Sequence, residues 1–141
     1  MPSLTAETMR RLVETARVAR LATVDAAGRP HLVPVCFVLS GGTVYSAVDR
    51  KPKRTPQLRR LANVRARPAA TLLVDEYAED WSRLWWVRLR GPARVLEDGQ
   101  ERLSALALLR EKYPQYVEQP PDGAVLALDV SQWRAWAAAT P

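Results

Sequence analysis

Val44-Tyr45-Ser46-Ala47-Val48-Asp49-Arg50-Lys51-Pro52-Lys53-Arg54-Thr55-Pro56-Gln57-Leu58-Arg59-Arg60-Leu61 is a strand, a basic loop and a helix start in one run. Residues 44–48 are β-branched, aromatic or small, which suits a pleated surface. Pro52 and Pro56 each hold the residue before them away from helical backbone, so 49–54 reads as loop. Thr55 can then cap a helix that carries Pro56 at its first position, where proline's missing N–H costs nothing. Leu58, Leu61 and Ala62 give that helix a buried side, Arg59 and Arg60 face outward, and Pro68 ends it. Between Arg50 and Arg67 lie eight cations and no acid, while the remaining 13 of the 21 Lys and Arg face all 15 acids. The net charge of +6 therefore comes from one segment. A cationic focus of this kind marks an anionic partner (a phosphate-bearing cofactor, a nucleic acid or an acidic surface) unless it is only a solvated helix face.

Upstream, Thr5 caps a first helix in which Met9, Leu12, Val13 and Ala16 recur at helical spacing. Residues 18–24 read as a strand, 25–30 as a turn, and His31 to Leu39 as a second strand whose Pro34 demands an edge or a bulge. Residues 40–43 turn into the 44–48 strand. Downstream, 69–75 is a fourth strand, 76–82 an acidic loop with aromatic tips, and 84–97 a long strand bent at Gly91-Pro92. Gln100 to Tyr113 is an amphipathic helix with Leu103, Leu106, Ala107 and Arg110 in register. Residues 116–123 are a proline-bearing loop, and 124–130 and 133–138 are two closing strands. Short strands in meander order need closure or cover, which a small antiparallel β-barrel with peripheral helices provides. The five tryptophans exceed what one small core holds, so some of that surface is expected at a subunit interface.

The 141 residues suit one domain, 1–141, and the 48% hydrophobic and 26% charged content is that of an ordinary globular chain. No apolar run reaches the roughly 20 residues of a spanning helix, and the start lacks a secretory signal, so a cytoplasmic, membrane-free setting is expected. One cysteine and one histidine exclude an internal disulfide and a two-histidine zinc site within one chain; no metal site is expected. His31 reads as a surface or rim residue, Cys36 as a small buried hydrophobe, and Asp75-Glu76 and Glu79-Asp80 as solvated loop acids. No self-contained catalytic set of side chains emerges. A cofactor would then do the chemistry, with Lys51, Lys53, Arg54 and Thr55 holding its phosphate beside a helix start.

The 44–61 run, with Asn63 and the Pro68-Ala69-Ala70 strand entry, resembles the pyridoxamine-phosphate-oxidase-like split barrels. The Ala19-Arg20-Leu21-Ala22-Thr23-Val24 strand, the Gly28-Arg29-Pro30 turn, Pro34-Val35 and Trp86-Val87-Arg88-Leu89-Arg90-Gly91 extend the likeness over nearly the whole chain. The branch it most resembles uses the deazaflavin F420 in place of FMN. That resemblance implies a homodimeric split barrel with two cofactor sites at the subunit interface. It implies that Ser46, Lys51, Lys53, Arg54 and Thr55 hold the phosphate, that Pro34 and Val35 lie along the ring system, and that Trp86 reaches the site from the neighbouring subunit. Pro52 splits the basic loop, which departs from the better-known flavin-binding pattern and leaves open which of Lys51, Lys53 and Arg54 is the principal contact.

Charge bears on the cofactor independently. FMN carries one terminal phosphate, whereas F420 carries a phosphodiester and an oligoglutamate tail that Arg59, Arg60, Arg65 and Arg67 could follow. The expected function is therefore F420-dependent hydride transfer to an electron-poor small acceptor, with FMN as the alternative cofactor. Product protonation would fall to water, Tyr77 or His31. The rivals are a cofactor carrier without turnover and a nucleic-acid-binding barrel; the second is disfavoured because the cations and the tryptophans lie in different parts of the chain.

Overall fold

The computed structural model describes residues 4–48 and 56–140. Helix α1 (Ala6–Thr15) precedes strands β1 (Ala19–Val24), β2 (Pro30–Val35), β3 (Val38–Ser40) and β4 (Thr43–Ala47). Helix α2 (Pro56–Ala66) leads to β5 (Ala69–Glu76) and β6 (Trp85–Leu96), then α3 (Gln100–Lys112), the single turn α4 (Gln115–Glu118), β7 (Val125–Asp129) and β8 (Gln132–Ala137). Thr5 caps α1 through its hydroxyl, which accepts from the Thr8 N–H at 3.1 Å. Among the described residues no helix is long and apolar enough to cross a membrane.

The strands form an antiparallel path β2-β1-β5-β6-β7-β4-β3, with β8 also on β6. Its two ends, β2 and β3, are consecutive in the chain, separated only by Cys36 and Phe37, so the sheet has curled until its ends meet. This is a split barrel, and the split is that two-residue break. The sequence suggests one strand from His31 to Leu39; instead the ladder stops at Val35, and Pro34 sits on an end strand that pairs only with β1. The break leaves the Phe37 backbone buried without a strand partner. Tyr113 supplies one: its hydroxyl accepts from the Phe37 N–H at 3.1 Å and donates to the Arg17 carbonyl at 2.9 Å. Phe37 itself is fully buried and anchors the seam in the core.

β6 changes partner where the sequence places its bend. Its first half pairs with β5 and β8, and Ala93 to Leu96 pair with β7. β7 and β8 run along the same edge of β6 with their registers one residue apart, so 129–131 forms a bulge opposite Gly91. A side chain cannot fit there, because a Cβ on Gly91 would lie 1.9 Å from the Asp129 carbonyl oxygen. Leu21, Leu72, Val74, Val87, Leu89 and Leu128 fill the barrel interior.

α2 packs on β1 and β6 with Leu61 and Val64 in the core, and buried Asn63 donates to Thr23 Oγ1 at 3.0 Å. Two sequence readings of this helix are corrected. Ala62 is exposed, and Arg60 is buried at 6% exposure, because a helix wedged against a curved sheet covers a wider arc than its leucines mark. In α3 the buried residues are Ala105, Leu106 and Leu109, facing Ala47 and Val125, whereas Leu103 is 55% exposed. Arg94 on β6 ties α3 to the barrel, donating to Glu101 and to Asp129, while the Tyr45 hydroxyl donates to Glu101 at 2.7 Å.

Candidate functional site

Ser46 is the next-to-last residue of β4 and points inward at 4% exposure. It borders a pocket of about 220 Å³ at the barrel's seam, together with Pro34, Val35, Cys36, Ala47 and Arg60. Three of the sequence-derived site residues, Pro34, Val35 and Ser46, are thus brought together from two strands on opposite sides of the break. Lys51, Lys53, Arg54 and Thr55 lie outside the described residues. The described chain on either side of 49–55 borders the pocket, with Ala47 before it and Arg60 after it.

Two features make this pocket chemically distinctive. Ser46 Oγ is buried and has no hydrogen-bond partner among the described residues. A buried hydroxyl left unpartnered costs about 1–3 kcal/mol, so the position suits an incoming acceptor. Arg60 brings a buried guanidinium, steadied where its Nη2 donates to the Ala47 carbonyl at 3.3 Å. A guanidinium out of water favours a planar oxyanion that it can bind with two N–H groups. The donor set therefore fits a phosphate. Arg60 was missed because its helical position reads as solvent-facing; Arg-Arg after a capped start carries no signal for which arginine turns inward.

The other basic residues of α2 divide. Arg65 pairs with Glu97 at 2.6 Å. Arg67 donates to the Asp25 carbonyl at 2.9 Å and the Ala26 carbonyl at 3.2 Å, fastening α2 to the β1–β2 turn. These two are engaged within the fold and do not support the expected path for an acidic tail. Arg59 is exposed.

His31 is half-buried, as a rim residue would be, with its Nδ1 buried and without a hydrogen-bond partner among the described residues. Burial, aided by the Arg59 and Arg60 charges, holds its pKa below the ordinary histidine value, so it is a neutral imidazole at pH 7. Cys36 is exposed, not buried: the strand alternation that placed it inside ends one residue earlier, at Val35. Asp75, Glu76, Glu79 and Asp80 are solvent-exposed, as read, but Asp75 and Glu76 end β5, paired with Trp86 and Trp85, rather than lying in the loop.

Trp86 is elsewhere in this chain. It lines a second, apolar groove of about 320 Å³ with Leu73, Tyr77, Trp85, Arg88 and Trp136. The groove lies on the outer face of the β5-β6-β8 sheet, where Trp86 and Trp136 are directly paired across strands.

The sequence model of pyridoxamine 5′-phosphate oxidase matches residues 5–137. The chain belongs to the pyridoxamine 5′-phosphate oxidase family. Among curated proteins none matches the sequence. Solved structures share the family's fold at low identity. The conserved hypothetical protein Rv2991 of Mycobacterium tuberculosis is 18% identical, over 96% of this chain and 86% of that one, with a TM-score of 0.77. The heme storage protein HutZ of Vibrio cholerae is 18% identical, over 94% and 93%, with a TM-score of 0.73. A FAD-binding protein of Mesorhizobium loti is 20% identical, over 94% and 94%, with a TM-score of 0.72. These likenesses establish the split barrel of the pyridoxamine 5′-phosphate oxidase family and nothing about its occupant here, since one architecture hosts several ligands.

Proposed function

We propose that this member of the family is an oxidoreductase that holds F420 by its phosphodiester in the Ser46–Arg60 pocket and passes hydride to an electron-poor small organic acceptor. The observation that carries the reading is the buried, unpartnered Ser46 hydroxyl beside the buried Arg60 guanidinium, both next to the cation-rich segment 49–55. In this reading Lys51, Lys53, Arg54 and Thr55 complete the phosphate site from that segment. Pro34 and Val35 flank the ring system. F420, when bound, supplies a hydride at a ring carbon and carries electrons in pairs. The protein contributes binding, orientation and exclusion of water. His31, held neutral, is not a proton donor at pH 7, so product protonation falls to water or to Tyr77, which is 65% exposed beside the aromatic groove.

The cation count favours F420 over FMN. With Arg65, Arg67 and Arg60 all bonded within the fold, Arg59 and the four cations of 49–55 are still more than one terminal phosphate requires. Flavin-binding and heme-binding proteins both adopt this architecture, by the descriptions of its structural neighbours. The reading takes a phosphate-bearing group over heme on the buried Ser46 hydroxyl and the cation-rich segment beside it.

A second copy of the chain belongs in the same reading. Leu73, Trp86 and Trp136 line an open groove on the outer face of β5, β6 and β8, and a homodimer would bury that face and carry Trp86 to the partner's cofactor. Titration of the purified protein with oxidised F420 and with FMN, each at two salt concentrations, tests the assignment. Tighter binding of F420, weakening as salt rises, is the expected result. Tighter binding of FMN would move the protein to the flavin side of the family, and binding of neither would refute the site.

A further inference from the structure

The groove on the outer face of β5, β6 and β8 holds a positive charge that nothing around it balances. Strand alternation sends Val87 and Leu89 into the core and leaves Trp86 and Arg88 outside. Across the ladder Trp86 meets Trp136 and Arg88 meets Arg134, while Leu73 lies beside Arg88 on β5. The Arg88 guanidinium lies over the Trp86 ring, 5.5 Å from its centre. Its Nε is buried and has no hydrogen-bond partner among the described residues. The two acids that line the groove are already matched, Asp75 with Arg20 at 3.5 Å and Glu76 with Arg83 at 3.5 Å. No ion pair within the described residues neutralises Arg88 or Arg134. Like charges directly opposite on a sheet destabilise it, and an anion seated against them removes that cost. A guanidinium shielded from water pairs best with a planar oxyanion. The indoles beside it offer faces on which a planar ring stacks, and about 320 Å³ is the small end of ligand pockets, room for a compound of one or two rings.

We infer that this groove is a binding site for small planar aromatic carboxylates: Trp86 and Trp136 stack on the ring, and Arg88, with Arg134 opposite, donates to the carboxylate. The site is distinct from the Ser46–Arg60 pocket, since no residue lines both. Binding stands on the residues of one chain, whichever cofactor the protein holds. Only its use rests on the functional reading above. There, a second copy on this face roofs the groove beside the partner's cofactor, and the bound acid is the hydride acceptor, with Tyr77 lining the same groove.

Cinnamate is the probe, and uncharged cinnamamide, of nearly the same shape, is its control, both titrated by calorimetry at pH 7. Cinnamate is expected to bind at least about tenfold more tightly than the amide, as one charge-assisted hydrogen bond gives. In Arg88→Met, with unchanged circular dichroism, the two probes are expected to bind alike. In the proton–nitrogen NMR spectrum of wild type, cinnamate is expected to shift the indole N–H resonances of Trp86 and Trp136. Shifts confined to the residues around Ser46 place the probe in the other pocket and overturn the inference. Equal affinity of wild type for the two probes overturns it without recourse to any variant, and so does a preference kept in folded Arg88→Met. Binding of neither probe also overturns it, as when a side chain of a second copy fills the groove. Protein that binds cinnamate but neither F420 nor FMN keeps the site and fails the functional reading; protein that binds F420 but not cinnamate does the reverse.

Discussion

Replacing Ser46 by alanine separates what the pocket does for folding from what it does for a ligand. In the ligand-free protein Ser46 Oγ is buried without a hydrogen-bond partner among the described residues. Removing it relieves a desolvation cost of about 1 kcal/mol, at the low end for an unpartnered hydroxyl. The unliganded variant should therefore melt no lower than wild type, and up to about 4 °C higher. With a phosphate in place the same hydroxyl would donate to a charged acceptor, an interaction of about 1.5–3 kcal/mol. At 1.4 kcal/mol per tenfold, F420 or FMN should bind about 10–150-fold more weakly. Thermal melts without ligand, paired with fluorescence titrations, give both numbers from one preparation. A variant that is destabilised when unliganded would show that Ser46 has a structural partner after all. An affinity within about threefold of wild type would show that the hydroxyl does not face the ligand, and the phosphate assignment would fall.

Tyr113→Phe strips the seam of its hydroxyl and leaves the buried Phe37 N–H unpaired, for an expected loss of about 1–3 kcal/mol in urea unfolding; Tyr77→Phe, whose hydroxyl is exposed, should unfold like wild type. Gly91→Ala forces a Cβ onto the Asp129 carbonyl, an obstacle that cannot rotate away, so destabilisation of at least about 3 kcal/mol is expected from the same assay. Glu101 has its pKa held at about 2 by its bonds from Arg94 and Tyr45, below the ordinary 4.5. Its contribution is therefore full above the unfolded value and is lost as pH falls from there through about 2. The stability gap between wild type and Glu101→Gln should close over that acid window, and it should stay under about 1 kcal/mol at neutral pH because the pair is solvent-exposed. A gap that persists at pH 2 would contradict the ion-pair account.

The order of strands and helices was legible because each boundary has local chemistry. Thr5 caps, Gly28 and Gly41 turn with positive φ, and Gly91-Pro92 marks the switch of pairing along β6. What the alternating pattern could not show was where pairing stops inside a continuous apolar run. Val35, Cys36 and Phe37 look like one strand, yet the barrel splits among them, and the stabilising hydroxyl comes from Tyr113, 76 residues away. Half of the candidate site followed the same logic. Pro34, Val35 and Ser46 share a pocket because the split brings the end of β2 beside β4. Arg60 escaped notice since its burial depends on how α2 lies across β1 and β6, a tertiary fact with no local sign. Trp86 is a different case: its separation from Ser46 within one chain is what a site built from two copies would require.

The central claim is that a phosphate-bearing deazaflavin occupies the Ser46–Arg60 pocket. A crystal structure of the protein grown with oxidised F420 tests it most directly. The account expects the phosphodiester within hydrogen-bond distance of Ser46 Oγ and of the Arg60 guanidinium, with Trp86 of a second copy against the ring system. F420 bound in the tryptophan groove of a single chain, or a phosphodiester remote from Ser46 and Arg60, would contradict it.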